Sequence, residues 1–492
     1  MAEIQWQEWK NETFERAEAE GKALFVWIHY RGCRACGQMA EESFSDALIV
    51  ERLHADFIPI RIDRDERPDI DRHFQRVFSV MLGKEGGWPL TLFLRPDKKP
   101  LYVSAYVPPE ARDGMMGLGE LLDLVARAHA EDPAGFGRKG EEALRELTPP
   151  GTIEATRIDP KALATTLRKQ ILDVYDAKHG GYGEGPKYLH VALLKAALVL
   201  QDVEGEVEPI HSLRHTLERL MAAPMWDAET GGLYCCALDE AWQVPQRRKS
   251  LAENAIMAII YLRTAEATGE MLYRETAYRI CDWALEKMQD GVSGLLCAGE
   301  IEGEVDQRIF TAPNALMAAA LMMAAQSEER YRPDALGLLN ALMDRMLSGV
   351  QLRHQLRGED TVTYLVDYAA LSAALLAAYD LTGNQHFVAT SGEIASAAIR
   401  RFYDKGRWGV GDGEWNDPTV FVDTTLPSPA ATITMVLHRL SELLDKAYTP
   451  FVEQTLAVAS YELMRRPVAK AGMAEAALRV YGVKNEEIGM RK

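Results

Sequence analysis

Cysteine is scarce in this chain: six among 492 residues, at positions 33, 36, 235, 236, 281 and 297. That density excludes a disulfide-built scaffold. A second CxxC is absent, and with it the spacing of a four-cysteine zinc site, so no metal is expected. Basic charge is in deficit. Lys and Arg number 55 against 73 Asp and Glu, a net charge of −18 that repels phosphate backbones and argues against a nucleic-acid partner. The longest apolar stretches reach about a dozen residues, short of the ~20 that span a bilayer, so no membrane association is expected. The N-terminus lacks the basic segment and apolar core of a secretory signal, which makes the cytoplasm the expected location. The apolar share of 47% and the charged share of 26% exclude a disordered chain. At ~150 residues per domain, the length allows about three domains, or two with one large.

The N-terminal part alternates strand and helix patterns. Residues 6–20 carry an amphipathic helical pattern, and LFVWIHY (24–30) is a strand-length apolar run suited to a central strand. RGCRACGQMAEESF follows: a turn at Gly32, then two cysteines opening a helix. Helix N-terminal N–H groups stabilise a thiolate, and Arg31 and Arg34 add positive charge. Cys33 is therefore expected to be the attacking thiol and Cys36 the resolving one. An inert buried pair, or half of a metal site, are the other readings of this CxxC. FIPIRID (57–63) reads as a strand, RPDIDRHFQRVFSV (67–80) as a helix, and GGWPLTLFLRPDKKPLYV (86–103) as a turn, a strand, a turn and a strand. This order predicts an α/β layer domain. Trp88–Pro89 lies just before a strand facing the CxxC, where thioredoxin folds carry a cis-proline.

The segment resembles the thioredoxin-like domain of the spermatogenesis-associated protein 20/YyaL family. The resemblance rests on IQWQEW (4–9), the CxxC followed by QMAEESF, IDRDERPDIDR (62–72) and GGWPLTLFLRPDKKP (86–100). Where the family has CHWCH this chain has CRACG, which removes an aromatic and a histidine and keeps the dithiol.

Residues 1–130 are read as this domain and 131–158, rich in Asp, Glu, Gly and Pro, as a linker. From 159 to 492 the chain reads as helical. YDAKHGGYG (175–183) and WDAETGGLY (226–234) repeat one pattern, and looser versions follow. Paired helices are expected to start near 161, 208, 271, 331, 386 and 450, and near 190, 250, 313, 364, 428 and 472. The second set is apolar on most faces and so buried. Six buried helices inside six outer ones predict an (α/α)₆ toroid, with an open solenoid as the alternative. The family resemblance implies the same toroid, similar to N-acylglucosamine 2-epimerases and six-hairpin glycosidases, in a divergent, compact relative. The family's HFEKMLYDNA stretch is QRRKSLAENA here (246–255), with Gln246 in place of its histidine.

Toroids bind ligands among the loops at the inner-helix N-termini. Candidate ligand-binding residues there are Tyr182, Lys187, His190, Asp227, Asp239, Trp242, Arg247, Glu253, Asn254, Asp367 and Tyr368, and in the first domain Trp88 and Pro89. Aromatics stack on sugar faces while Asp, Asn and Arg bond hydroxyls; the same residues also serve as helix caps. Cys235 and Cys236 stand side by side in one of these loops, either as a thiol pair able to partner the CxxC or as small buried hydrophobes. The expected function is cytoplasmic thiol–disulfide chemistry at Cys33 and Cys36. It uses no cofactor and has a reducing protein partner. The toroid holds a small polar, sugar-like or thiol-containing ligand. The alternatives are a carbohydrate-active isomerase or hydrolase with a docking module, and a non-enzymatic scaffold.

Overall fold

The computed structural model describes residues 3–147, 155–204, 207–358, 362–415, 421–444 and 446–482. The chain divides into two units, Met1–Gly151 and Thr152–Lys492.

The first unit is built around an unbroken apolar run. Helix α1 (Asn11–Glu20) leads into strand β1 (Ala23–His29), whose first six residues are all buried. Helices α2 (Arg34–Glu42) and α3 (Ala47–Asp56), strand β2 (Phe57–Asp63), helix α4 (Pro68–Leu82), and strands β3 (Leu90–Leu94) and β4 (Pro100–Ser104) follow. The sheet order is β2-β1-β3-β4. β1 runs parallel to β2 and antiparallel to β3, a mixed sheet that keeps its most apolar strand inside. Ile28 pairs with Leu90, so the segment before β3 lies level with the end of β1 from which the cysteine loop departs.

Two expectations are corrected here. The helix expected from residue 6 begins only at Asn11, and Gln7 bridges Ile60 on β2. The aromatic spacing serves the sheet instead: Trp6 stacks on Trp27 at 5.8 Å and meets Phe44 edge-on at 5.2 Å. The linker expected over 131–158 does not begin at 131. After α5 (Leu118–Glu131), residues 133–147 form α6 (Pro133–Phe136) and α7 (Arg138–Leu147). α7 packs on α4 and β4, with Ala143 and Leu147 buried. Its glycines and charges fit a close-packed amphipathic helix. Residues 148–154 lie outside the described residues.

The second unit alternates outer and inner helices. The pairs are α8 (Pro160–Val174) and α9 (Val191–Glu204), α10 (Val207–Ala222) and α11 (Leu251–Thr268), and α12 (Met271–Lys287) and α13 (Thr311–Ala325). Then come α14 (Arg332–Met346) and α15 (Leu365–Thr382), α16 (Gln385–Phe402) and α17 (Pro429–Leu443), and α18 (Thr449–Arg465) and α19 (Ala471–Tyr481). Each inner helix packs on the next, and α19 packs on α9, so the ring closes. The unit is a closed α/α toroid, not an open solenoid. α15 is long and apolar enough to cross a membrane by length and composition, with mean hydropathy 1.3 over 18 residues. Here it is a ring helix covered by α13, α16 and α17. Gly269 and Gly383 stop α11 and α15 in the left-handed conformation, at φ 76° and 69°.

Candidate active site

Cys33 and Cys36 are disulfide-bonded. Cys33 is the N-cap of α2, and its Sγ accepts the Cys36 N–H at 3.1 Å. Both sulfurs belong to a core cluster against which Tyr30 and Trp88 pack. Trp88–Pro89 is cis, as expected, and Pro89 is buried.

The acidic-basic motif after β2 explains how this corner is held. The Arg64 guanidinium lies 3.8 Å from the Tyr30 ring centre and 4.0 Å from that of Trp88. Trp88 Nε1 donates to Asp71 Oδ1 at 2.8 Å, and Gln75 Nε2 bridges Asp71 Oδ1 and the Gly87 carbonyl. Arg67 grips Asp69 through two bonds, at 3.0 and 2.8 Å. Burial pushes the Asp71 carboxyl above its ordinary range, opposed by Arg64 and by the Trp88 and Gln75 bonds. The motif therefore ties α4 to the proline loop and builds a cationic-aromatic platform there. Sequence reading named Trp88 and missed Arg64, Tyr30 and Asp71.

At the toroid mouth most of the expected ligand-binding residues are committed to the fold. Asp176 and Asp227 organise the two Gly-Gly turns, each accepting two backbone N–H groups. A buried lysine meets each: Lys187 Nζ is 2.9 Å from Asp176, and Lys249 Nζ is 2.6 Å from Asp227. Trp242 is fully buried, donating Nε1–H to the His179 carbonyl at 3.1 Å. Tyr182 is buried. Asn254 is buried and clamps the Leu233 peptide. Asp367 accepts from Ala312 N at 3.0 Å and pairs with His354 Nδ1 at 2.8 Å. Tyr368 is buried, its hydroxyl accepting from Leu352 N. Asp239 ties its own loop by accepting the Ala241, Gln243 and Val244 N–H groups. Six of these eight candidates are buried, and the half-buried Asp227 and Asp239 spend their carboxylates on backbone N–H groups and Lys249, so each is committed to a turn, a clamp or the core.

The remaining three candidates are His190, Glu253 and Arg247. His190 is partly buried, with its basicity lowered by burial and by Lys187. Glu253 Oε2 lies 3.8 Å from Arg248 Nη1. Arg247 is exposed. Sequence reading missed His354 and Lys249, whose partners are distant in the chain.

The geometry defines a class: a CxxC-bearing α/β unit joined to an α/α toroid. Residues 1–148 match the Thioredox_DsbH family model, described as "Protein of unknown function, DUF255". That match implies a thioredoxin-like first unit. The chain is similar in sequence to spermatogenesis-associated protein 20, as its motifs suggested. It is 25% identical to the human protein over 307 residues, 61% of this chain and 39% of that protein. It is 27% identical over 263 residues to protein B0495.5 of Caenorhabditis elegans, 52% of this chain and 36% of that one. The matched stretch thus spans well under half of these relatives. Among solved structures, the chain is similar to cellobiose 2-epimerase of Bacillus thermoamylovorans (TM-score 0.51, 12% identity, covering 61% of this chain and 87% of that one). It is also similar to the GH76 α-mannanase BT2949 of Bacteroides thetaiotaomicron (TM-score 0.50, 14% identity, covering 66% and 98%). At these identities the likeness is one of fold, the α/α toroid.

Proposed function

We propose that the chain carries out thiol–disulfide exchange through Cys33 and Cys36 in the cytoplasm. The observation behind this reading is the Cys33 sulfur at the N-cap of α2, accepting a backbone N–H, with its partner sulfur one turn on. A thiolate at that position gains from the helix dipole. In the reducing direction, Cys33 Sγ attacks a substrate disulfide. One new S–S bond forms, and the other substrate sulfur leaves as a thiolate and takes up a proton. Cys36 gives up its proton and attacks Cys33 Sγ. The second substrate thiol leaves, and the Cys33–Cys36 bond remains. A dithiol partner protein returns two electrons and resets the pair. Tyr30 and Trp88, with Arg64 over both rings, pack against the cluster that holds the disulfide, and Pro89 follows Trp88. The toroid's likeness in fold to sugar-acting enzymes supports a bound polar, sugar-like or thiol-carrying ligand. The commitment of Asp227, Asn254 and Asp367 to loop structure weighs against catalysis there.

A redox titration of the Cys33/Cys36 peptide, read by alkylation and mass spectrometry, tests this. A reversible disulfide with a potential of roughly −200 to −270 mV, the glutaredoxin-to-thioredoxin range, supports exchange. Thiols that stay reduced and unreactive across that range overturn it.

A further inference from the structure

The corner around the disulfide carries a network to which the exchange chemistry above gives no role. Cys33 N–H donates to the Tyr30 carbonyl at 3.2 Å. Ile28 pairs with Leu90 across β1 and β3, and that register, carried two residues further, sets Trp88 opposite Tyr30. Their rings meet edge to face at 5.8 Å, and both are part-exposed. The Trp88 indole is fixed from two further sides: Arg64 lies over its face, and Asp71 Oδ1 accepts its N–H at 2.8 Å. Gln75 joins Asp71 to the Gly87 carbonyl, at 3.3 and 3.1 Å, so α4 holds the two residues ahead of Pro89. Arg64 is itself set by its N–H, which donates to the His29 carbonyl at 2.8 Å, and by Asp65 at 3.5 Å.

We infer that Arg64 and Asp71 are positioning residues for exchange with disulfides carried on a polypeptide, acting through the Trp88 indole. The inference rests on the exchange reading above. Neither charge is turned to a substrate. The Arg64 side chain is only 14% exposed and covers two rings, and Asp71 Oδ1 is taken by the Trp88 and Gln75 donors. Charges held in this way cost solvation, and apolar packing would secure a ring at less cost. What the ion and the hydrogen bond add is direction: the guanidinium fixes the plane of the indole, and the carboxylate fixes where its N–H points. A polypeptide that presents a disulfide to Cys33 brings main chain up on either side of the sulfur. An indole held in one pose, opposite the residue whose carbonyl bonds Cys33, gives that chain a fixed edge to lie against. A small disulfide brings no such chain and gains little from the edge.

The test uses the full chain with dithiothreitol as reductant and two disulfide substrates, insulin and 2-hydroxyethyl disulfide. Only the rate that Cys33→Ser abolishes is counted. Asp71→Ala and Arg64→Met are each expected to lower the ratio of kcat/KM for insulin to that for the small disulfide. The fall should be roughly threefold to tenfold, the worth of one such interaction, and should lie in KM for insulin. Asp71→Asn keeps an acceptor for the indole and should recover most of the ratio. Trp88→Phe removes the same hydrogen bond from the other side, so adding Asp71→Ala to it should change the ratio by less than about twofold. Circular dichroism checks that each variant is folded. Trp88→Phe and Arg64→Lys, which keeps the charge and loses the flat group over the rings, carry the test where the others are not. A ratio within about twofold of the parent's, whether both rates hold or both fall together, overturns the inference and leaves the exchange reading standing. So does a loss confined to kcat, or a parent that reduces the small disulfide alone. A parent that reduces neither disulfide overturns the exchange reading, and the inference falls with it.

Discussion

Asn254 holds Leu233 by both ends of its backbone: Leu233 N–H donates to Asn254 Oδ1 at 2.7 Å, and Asn254 Nδ2 donates to the Leu233 carbonyl at 2.9 Å. The same amide group reaches back one helical turn to the Ser250 carbonyl at 3.0 Å. One repeat later Asn314 does the same to Leu296, at 2.7 and 2.9 Å, and bonds the Phe310 carbonyl at 2.9 Å. Each asparagine sits in the first turn of an inner helix and pins the residue that follows a turn. A polar residue at the ring mouth is here a clamp on backbone that has no water to bond.

Asn254→Ala should therefore weaken the toroid strongly. It strands a buried N–H and a buried C=O, at about 1–3 kcal/mol each. A loss of about 3 kcal/mol is expected in urea unfolding followed at the toroid transition. Asn254→Asp keeps the acceptor and loses the donor, and should fall between. A change within ~0.5 kcal/mol, the range of ordinary surface substitutions, would refute the clamp.

Gly140 tests the boundary of the first unit. A Cβ there would stand 1.8 Å from the Pro100 carbonyl oxygen and 2.7 Å from its carbon, both backbone atoms of β4. Gly140→Ala should cost the first unit about 1–3 kcal/mol through overpacking, while exposed Lys139→Ala should be near neutral. If 133–147 were a loose linker, both variants would unfold like the parent.

The fold was legible where local chemistry dictates it. The apolar run of β1, Pro68 at the first turn of α4 and the glycine stops at Gly269 and Gly383 act within a few residues, and the elements formed there. Repetition did the rest for the toroid: buried and half-buried helices alternate with a period the sequence displays. The N-terminal segment misled because Trp6 and Trp9 are spaced as on a helix, yet their partners are Trp27, Phe44, Phe14 and Phe74. The mouth was legible in residue types and opaque in partners. Asp227 looks like a sugar ligand until Lys249 is found on it, 22 residues on. His354 stood unremarked in a loop because nothing local announces Asp367 as its partner.

His73 should make the first unit acid-sensitive. It is buried, and burial together with Arg76 pushes its imidazole down to about 4 against the opposing pull of Asp69. The unfolded chain binds the proton near the ordinary 6.5, so between 6.5 and about 4 the unfolded state carries more protons. Stability is then fully present above 6.5 and falls as pH drops through that window. The loss should reach about 3 kcal/mol by order of magnitude. Urea unfolding of the first unit at pH 7, 6, 5 and 4.5 checks this. His73→Phe should flatten the slope over that window, and an unchanged slope would assign the acid sensitivity elsewhere.

Lys249 gives the sharpest charge test. Its side chain is fully buried, with Nζ 2.6 Å from Asp227, 2.8 Å from Thr230 Oγ1 and 3.5 Å from Glu300. Burial alone would raise the Asp227 carboxyl, but Lys249 and Thr230 outweigh it and hold the group well below the usual carboxylate range. A carboxyl depressed in this way adds stability above its unfolded value of 3.8 and loses it as pH falls below. Lys249→Met fills the same space and leaves two carboxylates facing each other without their cation. Breaking a buried pair from one side costs about 3–5 kcal/mol, so a loss of that size is expected at pH 7. In the variant both carboxylates protonate more readily, so the deficit relative to the parent should shrink as pH falls from 7 towards 4. Denaturation at the two ends of that range decides it: a deficit that stays constant would mean that Lys249 contributes packing alone, and that its charge is not what holds the Asp227 turn.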